Sequence, residues 1–166
     1  MTTDLLSRIA VAELVSEWHA VEASVDIVRV ARDGDDAVIA ARFDNSAGRA
    51  RRVMFGLRET DGEWHRTGGF GGAAPAPGDT AVSWDPGRWS SNRSPIRGFW
   101  VAHPGAVALR LTEPAGRSIE GPVENGVAVL IGDDDFPERW AQVELLDADG
   151  TILTTGPVWP APALVG

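Results

Sequence analysis

The apolar residues of this chain change period once, and that change constrains its fold more than any other feature. Within residues 4–22, Leu6, Ile9, Ala10, Leu14, Trp18 and Val21 form one stripe, with Ser7, Glu13, Ser16 and Glu17 elsewhere, as in an amphipathic α-helix. Thr3 is placed to cap that helix, and Asp4 suits its positive end. Beyond it the period is two. Ala37, Ile39, Ala41 and Phe43 alternate with Val38, Ala40, Arg42 and Asp44, and Val53, Phe55 and Leu57 alternate with Arg52, Met54 and Arg58. Asp33-Gly34 and Asp61-Gly62 supply hairpin turns between the runs. A single amphipathic helix must bury its stripe, so residues 1–66 are expected to form a lobe in which the helix packs on an antiparallel β-meander.

Residues 67–79 read Thr-Gly-Gly-Phe-Gly-Gly-Ala-Ala-Pro-Ala-Pro-Gly-Asp, a composition expected of a linker or long loop. Gly69-Phe70-Gly71-Gly72-Ala73-Ala74 fits the spacing of a dinucleotide-binding loop. Pro75 and Pro77 stop the helix that such a loop must open. The two-residue period then resumes in runs near 99–102, 107–112, 117–123, 127–131, 140–146 and 151–155, with Asn125-Gly126 and Asp149-Gly150 as hairpin signals. Short strands at this cadence predict a mainly β protein. Its C-terminal lobe, residues 80–166, is expected to be a β-sandwich of immunoglobulin-like cadence.

Composition removes several chemistries. The chain has no Cys, Lys or Tyr. Disulfides, thiolate nucleophiles and cysteine-bound metals are therefore excluded, as are a Schiff-base lysine and a P-loop lysine. A formal charge of −9 argues against nucleic-acid and anionic-membrane partners. The start of the chain lacks the basic and apolar run of a secretory signal, so a cytoplasmic location is expected.

Within this acidic chain, residues 84–100 hold Trp84, Trp89 and Trp100 with Arg88, Arg93 and Arg97 against one acid, Asp85. Aromatic faces beside guanidinium groups suit recognition. Trp100 falls in an expected strand with Phe99. Trp84, Arg88, Trp89, Arg93 and Arg97 are assigned to an irregular loop, 84–97, as candidate binding residues. The competing role for its tryptophans is to pin that loop to the body.

No catalytic residues, metal site or cofactor are assigned. His19, His65 and His103 carry no metal-ligand spacing, and the acidic runs Asp133-Asp134-Asp135 and Asp147-Ala148-Asp149-Gly150 read as turns. The expected function is a non-catalytic binding or protein-interaction module acting on a protein partner, a second copy or an anionic small molecule. One alternative is a small hydrolase or isomerase using Asp, Glu or His, with a cleft between the lobes and 67–79 as its lid; Glu59, Glu63 and His65 are the first trio to inspect. Another is a structural or assembly subunit.

Overall fold

A computed structural model describes residues 2–75, 83–91, 94–132 and 136–159. The chain is mainly β, with one N-terminal helix and two antiparallel sheets. It divides into two compact units, Met1–Pro77 with Trp89–Ser91, and Gly78–Arg88 with Asn92–Gly166.

In the first unit, helix α1 (Thr2–Glu17) precedes strands β1 (Asp26–Asp33), β2 (Asp36–Asp44), β3 (Ala50–Thr60) and β4 (Glu63–Ala73), which neighbour one another in chain order. The expected stripe does the packing: Leu6, Ala10 and Leu14 are buried with Ile39, Ala41, Phe43, Val53 and Phe55. The helix is shorter than residues 4–22. His19 takes a left-handed φ of 54°, and the Ala20 N–H returns to the Leu14 carbonyl at 3.1 Å, ending α1 before exposed Val21. Thr3 lies inside the first turn, and its side chain is outside the described residues. Asp61 and Gly62 both have positive φ, 53° and 80°, as a tight hairpin turn between β3 and β4 demands.

The glycine-rich stretch corrects the sequence expectation. Residues 67–73 lie in β4 and pair with β3, while 76–79 lie outside the described residues. At Gly68 and Gly71 a tryptophan side chain occupies the space that a Cβ would need. A Cβ at Gly71 would stand 2.9 Å from Trp18 Cζ3, and one at Gly68 would stand 3.1 Å from Trp89 Cβ. At Gly56, across the sheet, a Cβ would meet Trp89 Nε1 at 2.5 Å and Thr67 Oγ1 more closely still.

The second unit contains β5 (Trp84–Ser91), whose last three residues belong to the first unit, then β6 (Ser94–Val101), β7 (Ala108–Thr112), β8 (Ser118–Glu124), β9 (Val127–Ile131), β10 (Gln142–Leu146) and β11 (Ile152–Pro157). The sheet order is β11-β10-β7-β8-β9-β6-β5. β8 pairs with β7 through Ser118–Pro122 positions and with β9 at Val123 and Glu124, so it passes from one half of the sheet to the other. Phe99, Leu109, Leu111, Ala128, Val143 and Leu145 share one core drawn from both halves. The terminal strands in the order also meet. Trp84 Nε1 donates to the Val158 carbonyl at 3.2 Å, and a Cβ at Gly156 would stand 3.0 Å from Trp84 Cη2. Pro157 ends the edge strand β11, where a missing N–H removes no ladder bond from a central strand.

Among the described residues, no helix is long and apolar enough to cross a membrane. The packing at Gly56 gives a direct stability test. Gly56→Ala should destabilise the protein by about 1–3 kcal/mol through overpacking. Gly72→Ala meets nothing within 4 Å and should change stability by less than about 0.5 kcal/mol. Chemical-denaturation midpoints of the two variants measure the difference.

Candidate functional site

Register and alternation build a polar face on the second unit. In β10, Val143 and Leu145 enter the core, which leaves Gln142 and Glu144 on the opposite face. Pairing sets Glu144 beside Thr155 of β11 and Arg110 of β7, and Arg110 in turn beside Glu120 of β8. The next row places Gln142 beside Thr112, and Thr112 beside Ser118.

One fixed ion pair occupies this face. Arg110 Nε donates to Glu144 Oε1 and Arg110 Nη2 to Glu144 Oε2, both at 3.1 Å, and Thr112 Oγ1 donates to Glu144 Oε1. Those hydrogen bonds, Arg110 first and Thr112 second, hold the Glu144 carboxyl below the usual glutamate range despite partial burial. The same pairing raises the Arg110 guanidinium above its ordinary value. Both groups are therefore charged at neutral pH, and the fork geometry fixes their orientation.

Thr112, Glu113, Pro114, Trp140, Gln142, Glu144 and Thr155 line an open groove of about 430 Å³. Trp140 ends a short 3₁₀ turn, Glu138–Trp140, immediately before β10. It remains 64 % exposed, and the Arg139 guanidinium lies over its ring at 5.0 Å. Glu113, on the groove wall, pairs with Arg117 at 3.5 Å.

The residues singled out in the sequence occupy different positions. The stretch 84–97 is not one irregular loop: its described residues lie in β5 and β6. Trp84 is 6 % exposed and Trp89 8 %, and both rings pack against the protein interior. Phe70 and Trp89 lie with ring centroids 6.0 Å apart. Arg97 is 2 % exposed; its Nη1 donates to the Gly132 carbonyl at 3.0 Å and its guanidinium lies 5.8 Å from the Phe136 ring. Arg88 is exposed, and Arg93 lies outside the described residues. Burial directs Trp84, Trp89 and Arg97 toward packing.

The suggested acid–base trio also separates. Glu59 is opposite Trp64, whereas Glu63 and His65 are opposite Thr60 and Arg58, so alternation places Glu59 on the other face of the hairpin. Glu59 instead accepts from Arg32 Nη2 at 3.2 Å, while His65 and Glu63 approach to 3.8 Å in a mostly exposed pair. His103 Nδ1 accepts the Gly105 N–H at 3.3 Å, and His19 forms the end of α1. Asp147 Oδ1 accepts the Asp149 and Thr151 N–H groups, each at 2.9 Å, which makes this acidic run a side-chain-closed turn. Asp133-Asp134-Asp135 lies outside the described residues.

The sequence pattern places Trp140 in the strand run 140–146, whereas it ends the 3₁₀ turn before β10. Its position carried a usable signal: Trp140 is in phase with Gln142 and Glu144, while buried Ala141 is in phase with Val143 and Leu145. No family model, curated protein or solved structure matches this chain.

Glu144 gives this site a pH signature. A depressed folded-state pKa contributes stability above the usual glutamate range, and that contribution disappears as pH falls through the lowered value. With Arg110 30 % exposed at the side chain, Glu144→Gln should cost about 1 kcal/mol at pH 7. Paired urea titrations should show that gap closing below about pH 4.

Proposed function

We propose that this chain is a non-catalytic binding module whose recognition surface is the groove beside Trp140. The observation supporting this reading most directly is an indole left 64 % exposed at the edge of a groove that Thr112, Gln142, Glu144 and Thr155 also line. Around it, the Arg110–Glu144 fork and Thr112 supply an ordered wall without an unassigned ion pair to move during binding. Rigid aromatic area and oriented polar groups reduce the entropy lost when a ligand is held. An ionised Glu144 tied to Arg110 is suited to positioning more than to proton transfer.

The broader partner proposal includes a protein or a second copy of the chain. An anionic small molecule remains a proposal for the 84–97 stretch, where Arg88 and Arg93 supply positive charge. We also read the second unit as a β-sandwich with immunoglobulin-like cadence; β8 changing neighbours and Trp84 approaching Gly156 support that finer architecture. The sandwich does not itself specify binding.

Saturation-transfer NMR with a mixed library of fragments and short peptides tests the groove. Compounds that receive transfer from the native protein should lose it with folded Trp140→Ala. An identical set of bound compounds for both proteins, or no bound compound, would overturn the assignment.

A further inference from the structure

We infer that the Trp140 groove binds a neutral saccharide, an inference that rests on the binding-module reading above. The groove combines an indole that stays 64 % exposed with the Arg139 guanidinium over its ring, and the uncharged hydrogen-bonding side chains of Gln142, Thr112 and Thr155. A sugar ring presents both matching surfaces: C–H groups on a ring face and hydroxyls around its edge. The electron-rich indole face attracts the former, while amide and hydroxyl groups exchange hydrogen bonds with the latter.

Charge narrows the ligand class. Glu144 is paired bidentately with Arg110 and Glu113 is paired with Arg117, so the groove's two carboxylates have cations within the protein. A cationic ligand would have to compete with those guanidinium groups. A phosphate or sulfate would find Arg110 and Arg117 already paired and Arg139 already stacked on Trp140, with the outward-facing Glu120 nearby. A neutral polyhydroxylated ligand incurs neither conflict and can use the remaining acceptor capacity of Glu144.

The groove geometry fits such a ligand as well. Its volume of about 430 Å³ lies in the usual small-ligand range, and the Thr155–Glu144–Arg110 row spaces polar groups across adjacent strands. A proline-rich peptide also stacks on tryptophan, but peptide grooves of that type use aromatic-lined walls. Here Trp140 is the aromatic residue on the groove lining, and its neighbours are chiefly polar.

An array of neutral glucan, mannan, xylan and chitin oligosaccharides, with sulfated glycans and proline-rich peptides alongside, provides the test. The full chain should bind a neutral oligosaccharide, with affinity confirmed by calorimetry using the same soluble sugar. Trp140→Ala should weaken binding by at least about tenfold, Trp140→Phe should restore part of the loss, and Trp159→Ala, at an indole 54 % exposed that does not line the groove, should leave it unchanged. Unchanged thermal unfolding would separate loss of stacking from loss of folding. No neutral glycan bound, or equal binding by Trp140→Ala, would overturn the saccharide assignment. Trp140-dependent binding only to sulfated glycans or peptides would overturn this ligand class while retaining the binding module; absence of Trp140-dependent binding in both this array and the fragment screen would overturn both.

Discussion

Tryptophan packed against a strand that lacks a Cβ is the constraint on which both units depend. Trp18 fits over Gly71, Trp89 over Gly56 and Gly68, and Trp84 over Gly156. Each pairing permits a large ring to approach backbone at a separation that an added methyl would crowd, most severely at Gly56 and Gly71. The resulting burial combines apolar area with close dispersion contact. In the first unit it lets rings occupy both faces of β4; in the second it brings Trp84 to the terminal strand β11.

This division of labour explains why tryptophan density was an incomplete guide to recognition. Trp84 and Trp89 spend their aromatic faces on internal packing, and Arg97 adds a buried carbonyl contact. Trp140 ends a short 3₁₀ turn and stays outside the core, where Arg139 stacks against it and β10 fixes its polar neighbours. The groove therefore depends on the opposite consequence of alternation: Val143 and Leu145 anchor the strand through one face, leaving Gln142 and Glu144 on the other.

Much of the fold was legible because short-range rules and long-range packing agree. The helical stripe found its sheet, and Asp61-Gly62 and Asn125-Gly126 adopt the positive φ values needed for tight turns. The glycine-rich stretch misled because composition does not distinguish a mobile glycine from one accommodating a neighbouring ring. Trp18 and Trp89 supply that missing tertiary information. The Trp/Arg stretch was similarly ambiguous: its strand pattern was masked by Pro86 and Gly87, while the later phase relation among Trp140, Gln142 and Glu144 contained the clearer outward-face signal. Neither signal specified a ligand. The saccharide proposal rests instead on the paired carboxylates and the groove formed by neighbouring strands.

The most direct measurement is solvent accessibility at each tryptophan by ¹⁹F NMR of protein labelled with 5-fluorotryptophan, using a soluble paramagnetic probe and single-site substitutions for assignment. Trp84, Trp89 and Trp100, at 6 %, 8 % and 3 % exposure, should be protected, whereas Trp140 at 64 % should relax strongly. Strong relaxation of Trp84 or Trp89, or protection of Trp140 comparable to theirs, would contradict the separation of packing tryptophans from the exposed groove tryptophan.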